Sequence, residues 1–222
     1  AFQTMESVRH GKKIPAEHLP VLKEHEIPDY YIDACNKIKY LYPKAHAVAY
    51  ATMAVRVGYF KVYYPLEFYA VWFSARCDAY DIHAMLGGYD RIVERYEQLC
   101  RLVNDKTQKS VKKDKDLIAM LEVAIEMAQR GFKFSNIDLY KSDAKNFMLD
   151  KENGALIPPF IVIDGLGDAA AESVVEARKN GEFKSKEDLL RRTKLNGTNV
   201  DDLDSIGVLK GLGESDQMSL FE

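Results

Sequence analysis

Two prolines, Pro43 and Pro65, bracket a stretch with no other proline and no acid, and nothing in the sequence limits the fold more. Proline is tolerated in the first turn of a helix but not in its interior. The pair therefore predicts one unbroken helix over residues 44–63. Ala45, Ala47, Ala49, Ala51 and Ala54 favour helix and allow close approach of neighbours. From Asp33 to Glu67 the chain has five cations (Lys37, Lys39, Lys44, Arg56, Lys61) and no carboxylate between those two, although the net charge is -3. Tyr40, Tyr42, Tyr50, Tyr59, Tyr63 and Tyr64 are interleaved with the cations. Such a stretch reads either as a surface for phosphates and bases or as a buried helix with snorkelling lysines. Composition alone divides the two evenly.

At 100° per residue, His46, Tyr50, Met53, Val57 and Lys61 share one stripe, with Arg56 beside it and Lys44 in the first turn. The unpaired amides and positive dipole end of that turn favour an anion. A lysine and a histidine there suit a triphosphate. A capping or core role for His46 stands against that reading.

At 222 residues the chain is long enough for one large domain or two modest ones, and 47% hydrophobic with 29% charged residues is the composition of a soluble globular protein. Cys35, Cys77 and Cys100 form no C-x-x-C, which argues against a disulfide framework or zinc knuckle and for a reducing, cytoplasmic setting. No apolar run approaches the roughly 20 residues of a membrane span, and no signal-peptide pattern opens the sequence. Its start, AFQTMESVRHGKK, reads as mid-helix in a piece of a longer polypeptide.

The fold class expected is mainly α with a small β-hairpin. Residues 1–12 read as a helix closed by Gly11, 12–28 as a polar connector, and 29–41 as a helix stopped by Pro43. Residues 65–76 form a strongly apolar core helix; 78–86 and 89–102 follow, parted by Gly87-Gly88. The lysine-rich segment 104–116 reads as a solvated loop in preference to a phosphate contact, and 116–131 as an amphipathic helix. Alternating runs around Glu152-Asn153-Gly154 predict a hairpin that marks a change of domain. Next comes Ile163-Asp164-Gly165-Leu166-Gly167, with Ala171 and Val174 at helical spacing beyond it. This fits a helix-hairpin-helix turn, in which glycines let backbone amides approach a DNA phosphate without reading sequence. Asp164 is an unhelpful charge there. Residues 185–192 form a short helix with Ser185 as N-cap and Asp188 three positions on, and 196–209 resembles a degenerate second hairpin element. The tail carries Gln217-Met218-Ser219-Leu220-Phe221, which reads as a frayed end or as a peptide that docks Leu and Phe into a partner's pocket. The domains expected are 1–131, 132–212 and 213–222.

PKAHAVAYATMAVRVGYFKVYYPLEFYA resembles the fingers segment of the bacterial replicative DNA polymerase III α subunit; IPDYYIDACNKIKYLYPKAH and LEVAIEMAQRGFKFSNIDLY narrow the resemblance to the PolC type. The C-terminal Gln-Met-Ser-Leu-Phe is similar to that family's sliding-clamp motif. The resemblance covers essentially the whole chain, in the order fingers, helix-hairpin-helix region, clamp peptide. It implies template-directed DNA synthesis. Lys44, His46, Tyr50, Met53, Arg56 and Lys61 would serve the incoming deoxynucleoside triphosphate. Gly165, Leu166 and Gly167, with Arg178, Lys179, Lys184 and Lys186, would serve the primer-template duplex. Gln217, Met218, Ser219, Leu220 and Phe221 would serve the clamp. Asp164 stands where the resemblance leads one to expect proline. The family's two Mg2+ ions are held by palm aspartates; Asp201-Asp202 matches no palm motif, so the resemblance implies no catalytic and no metal-ligating residue here, and a role completed by the rest of the polymerase chain. Two rival readings are a non-catalytic helix-hairpin-helix module of a repair or recombination protein, and a helical interaction protein that recruits a partner through its tail.

Overall fold

Gly11 holds the N-terminal part together. In the computed structural model, which describes residues 2–40, 43–105 and 112–215, α1 (Phe2–Arg9) ends in a turn where Gly11 has φ +71°. A Cβ on Gly11 would lie 2.0 Å from the Lys39 carbonyl oxygen, so both the dihedral and the close approach require glycine. The segment expected to be an irregular connector instead holds a 3-10 turn at Ala16–His18 and α2 (Leu19–Glu24). Leu19 and Leu22 pack there on the small core of Val8, Ile14 and Ile32, which is what orders the segment. α3 (Asp29–Lys37) follows Pro28 and stops short of residue 41. The Ile14 amide donates to Asn36 Oδ1 at 3.0 Å and fixes the strap between α1 and α3.

The chain divides into two compact units, Ala1–Tyr59 and Phe60–Glu222. α4 (Lys44–Tyr63) has the bounds that Pro43 and Pro65 dictate. None of its residues is buried among the described ones: Val48, Val55 and Val62 expose 55%, 73% and 63% of their surface. Of the two readings of this stretch, its exposure rules against the buried core helix.

In the second unit, α5 (Pro65–Arg76) buries Leu66, Tyr69, Ala70 and Phe73, the i, i+3, i+4, i+7 face of a core helix. α6 (Ile82–Leu86) begins later than expected, because the Asp81 carboxylate accepts the Ala84 amide at 3.0 Å and caps it there. α7 (Gly88–Asn104) packs against α8 (Lys112–Gln129) through Ile92, Leu99, Leu117 and Leu121. Residues 112–115 belong to α8, so the loop expected over 104–116 ends earlier, and Lys113 is a helical residue. β1 (Lys133–Phe134), β2 (Met148–Asp150) and β3 (Ala155–Ile157) form a sheet in the order β1-β3-β2. The β2–β3 hairpin is the one expected, with Gly154 at φ +58°; the parallel β1–β3 pairing is additional. Phe73 stacks on Phe134 and Phe147 with centroids 5.1 and 5.5 Å away, joining α5 to this sheet. One core runs from Leu66 to Leu209, and buried residues on both sides of position 131 belong to it.

α9 (Asp168–Ala177), α10 (Lys186–Arg192) and α11 (Gly197–Ser205) complete the chain. Ser185 caps α10, its oxygen accepting the Asp188 amide at 3.0 Å, as its sequence position predicts. Asp188 is buried; its carboxylate accepts from Arg191 at 2.6 Å, Arg192 at 3.1 Å and the Lys184 amide at 3.2 Å. Burial pushes that carboxyl up, but these donors outweigh it and the net shift is downward. Arg192 also lies 4.5 Å above the Phe183 ring and donates to the carbonyls of Ala177, Gly181 and Glu182. One guanidinium thereby fastens the end of α9 to α10.

Candidate nucleic-acid interface

The turn Ile163-Asp164-Gly165-Leu166-Gly167 is anchored from below by buried Ile163 and Leu166. The Leu166 amide donates to the Ile163 carbonyl at 3.1 Å, and Gly165 has φ +75°, which a β-carbon would strain. A Cβ built on Gly165 or Gly167 would meet nothing within 4 Å, so the outer side of the turn is open. α9 starts directly after Gly167, buries Ala171 and Val174 at the expected spacing, and has no side-chain cap. Its first amides thus point out of the turn with the dipole behind them. The element before the turn is only a 3-10 helix, Phe160–Val162, so the leading helix of this hairpin is a single turn.

Charge around the turn is mixed and already paired. Asp164 receives Lys113 Nζ at 2.8 Å. Lys145 Nζ bridges Asp168 and Glu172, 2.8 Å from each, and these hydrogen bonds raise its pKa. Lys113 and Lys145 line an open groove of about 670 Å³ together with Tyr80 and residues 161–167. Neither lysine stands out in the sequence. Lys113 meets Asp164 across 51 positions, a separation with no local pattern to reveal it.

The four cations expected to help the hairpin have different duties. Arg178 Nη1 donates to the carbonyls of Ser142 at 2.6 Å and Leu139 at 3.1 Å, tying α9 to the loop before β2. Lys179 pairs with Glu176 at 2.5 Å. Lys186 is mostly covered and holds Glu214 at 2.6 Å and Asp204 at 2.9 Å, which raise its pKa in that order. Lys184 is exposed, with no ion pair among the described residues.

On α4, Lys44, His46, Tyr50, Met53 and Arg56 are all exposed. His46 meets the Tyr50 ring edge-on with centroids 4.5 Å apart. Lys44 and Arg56 have no ion pair among the described residues. Lys61, in the second unit, is committed: its Nζ lies 3.0 Å from Glu126 and 5.4 Å from the Phe68 ring centre. Glu126 also accepts the Tyr69 hydroxyl at 2.5 Å. Burial, with this bond, pushes the Tyr69 hydroxyl up to about 12. Burial pushes Glu126 up in turn, but the bonds from Tyr69 and Lys61 bring it down overall.

The tail is strapped to α10. The Lys186 and Glu187 amides, unpaired donors of a helix start, donate to the carbonyls of Gly213 at 2.8 Å and Glu214 at 3.1 Å. The Ser215 hydroxyl donates to Glu187 at 2.7 Å. Gln217, Met218, Ser219, Leu220 and Phe221 lie outside the described residues. Among the described residues no group of His, Cys, Asp and Glu could hold a metal ion, and no helix is long and apolar enough to cross a membrane.

Residues 131–218 match the family described as helix-hairpin-helix motif. Over 221 of its 222 residues the chain is 46% identical to the DNA polymerase III PolC-type of Oceanobacillus iheyensis. It is 47% identical to the proteins of the same name from Bacillus cereus and Listeria monocytogenes, again over 221 residues. The chain spans 15% of the length of each of these curated relatives.

Proposed function

Because this chain belongs, along its whole length, to the PolC-type DNA polymerase III family, we propose that it serves template-directed DNA synthesis as the part that presents the nucleotide and grips the duplex. The observation that carries the reading is the open Gly165-Leu166-Gly167 turn ahead of the uncapped α9. Its amides suit one phosphate of a primer-template duplex, and contact through amides reads no sequence. An enzyme that must advance along any template needs that indifference.

α4 is the nucleotide-facing element in this reading. Lys44 and His46 stand in the first turn, where a triphosphate is favoured by dipole and charge. Tyr50 and Met53 follow on the same stripe as flat and soft surfaces for a nascent base pair. Arg56 supplies cationic support, and Lys61 helps chiefly by holding α4 to Glu126. The absence of carboxylates between Asp33 and Glu67 then has a cause, since each would repel the triphosphate. Gln217-Met218-Ser219-Leu220-Phe221 is the peptide for the sliding clamp. Residues 1–131, 132–212 and 213–222 are functional segments in this scheme. Mg2+ belongs to the reaction in this family; among the described residues no group of His, Cys, Asp and Glu is arranged to hold it, and in this reading its ligands lie in the rest of the polymerase chain. In this scheme the chain works in the cytoplasm with the rest of the replication machinery.

Titrating a labelled primer-template duplex into the chain at two salt concentrations tests the grip. Binding at low salt that weakens at least tenfold between about 50 and 200 mM salt is expected from phosphate contacts. No duplex affinity at low salt would overturn the reading.

A further inference from the structure

Resting on that duplex-binding reading, we infer that Leu209-Lys210-Gly211-Leu212-Gly213 is a second contact for the DNA phosphodiester backbone. It repeats the first turn in its buried anchor, its closing hydrogen bond and its glycine of positive φ. Leu209, like Ile163, is buried. Its carbonyl accepts the Leu212 amide at 2.9 Å, as that of Ile163 accepts Leu166 at 3.1 Å. Gly211 has φ +93°, Gly165 +75°. A Cβ on either glycine would meet nothing within 4 Å. Neither glycine's amide has an acceptor among the described residues, so both turns present a backbone N–H to the outside.

The two turns differ where it matters for an anion. Asp164 occupies the second position of the first turn and is held by Lys113. The second turn has Lys210 there, exposed and without an ion pair among the described residues. A groove of about 600 Å³ runs past it, lined by Gly207, Lys210 and Gly211 and by Lys184, which also has no ion pair among the described residues. The acids on that groove are Asp138 and Glu182. Asp138 is occupied, its carboxylate accepting the amides of Tyr140 and Lys141 at 2.8 and 2.9 Å. The groove beside Asp164 extends to Ser205 and Ile206, the residues that lead into Gly207. A duplex backbone that reaches the second turn meets a backbone N–H and two exposed lysines. The second turn has the better charge of the two.

The test is fluorescence anisotropy of a primer-template duplex with the intact 222-residue chain across a salt series. Lys210→Glu is expected to weaken binding about tenfold or more at low salt. It should also make the slope of log K against log[salt] shallower by about 0.9, the increment that one neutralised phosphate contributes. Lys210→Arg should retain both affinity and slope. Asp164→Lys, which gives the first turn the charge of the second, should tighten binding. If the parent chain binds duplex and Lys210→Glu matches it in affinity and slope, this inference is overturned while the duplex reading stands. A parent chain with no duplex affinity overturns both. Far-UV circular dichroism melts of each variant show whether a weaker complex reflects folding; Lys210 is exposed, so unchanged melts are expected.

Discussion

Arg178 shows how a cation that reads from sequence as a phosphate contact can belong to the fold. Its guanidinium satisfies two main-chain carbonyls, at Leu139 and Ser142. Arg178→Ala would leave both without that donor and should lower stability by about 2 kcal/mol, read from the urea midpoint, while the salt slope of duplex binding changes little. Arg178→Lys should restore it only in part, since the shorter side chain must carry its one nitrogen to the point where Nη1 now serves both carbonyls. Asp188 gives a pH signature. Its folded pKa lies below the ordinary carboxylate value of about 3.9. The stabilisation is therefore complete above that ordinary value and is lost as pH falls through the lower folded one. Asp188→Asn should flatten that part of the acid limb of stability and lower stability by about 1–3 kcal/mol near neutrality, because the buried carboxylate's charged hydrogen bonds with Arg191 and Arg192 are lost.

Among the elements, α4 tests the nucleotide reading most directly. Under the proposed function, Lys44→Ala and His46→Ala in a PolC-type polymerase containing this chain should raise the KM for deoxynucleoside triphosphates several-fold with little change in duplex affinity. Equal loss of both would mark the helix as structural. Lys61→Ala should instead act on stability, by about 0.5 kcal/mol, since its pair with Glu126 is partly solvated. The ends of α4 are legible in the sequence because prolines act locally, and the Ser185 cap is legible because an N-cap is read three residues ahead. The exposure of α4 is not. A stretch rich in alanine and valine has the same composition whether a neighbour covers it or not. The parallel β1–β3 pair and the Lys113–Asp164 and Lys145–Asp168 bridges are equally hidden, because each depends on chain segments far apart in sequence. Gly165-Leu166-Gly167 is recognisable from its spacing. The equivalent turn at Gly211 escapes notice, because no regular helix among the described residues follows it to announce a hairpin.

For the whole molecule, two cores of unequal size imply unequal stability. The first unit buries Val8, Ile14 and Ile32, whereas the second has a continuous core from Leu66 to Leu209. Hydrogen exchange should show α1–α3 opening at a lower free energy than α5, α8 and α9. Ile32→Ala should lower protection in the first unit and leave the second unchanged. The strap of Gly213, Glu214 and Ser215 over the start of α10 has a consequence for reach. Gln217 lies two residues beyond Ser215, and two residues span at most about 7 Å. Under the proposed function, a clamp docked on that peptide would be on a short leash from the domain proposed to hold the duplex. Lengthening the leash with Gly-Ser repeats between Ser215 and Gln217 should leave the affinity of each partner alone unchanged. It should reduce the mutual reinforcement of their binding, because the local concentration of one beside the other falls with tether length.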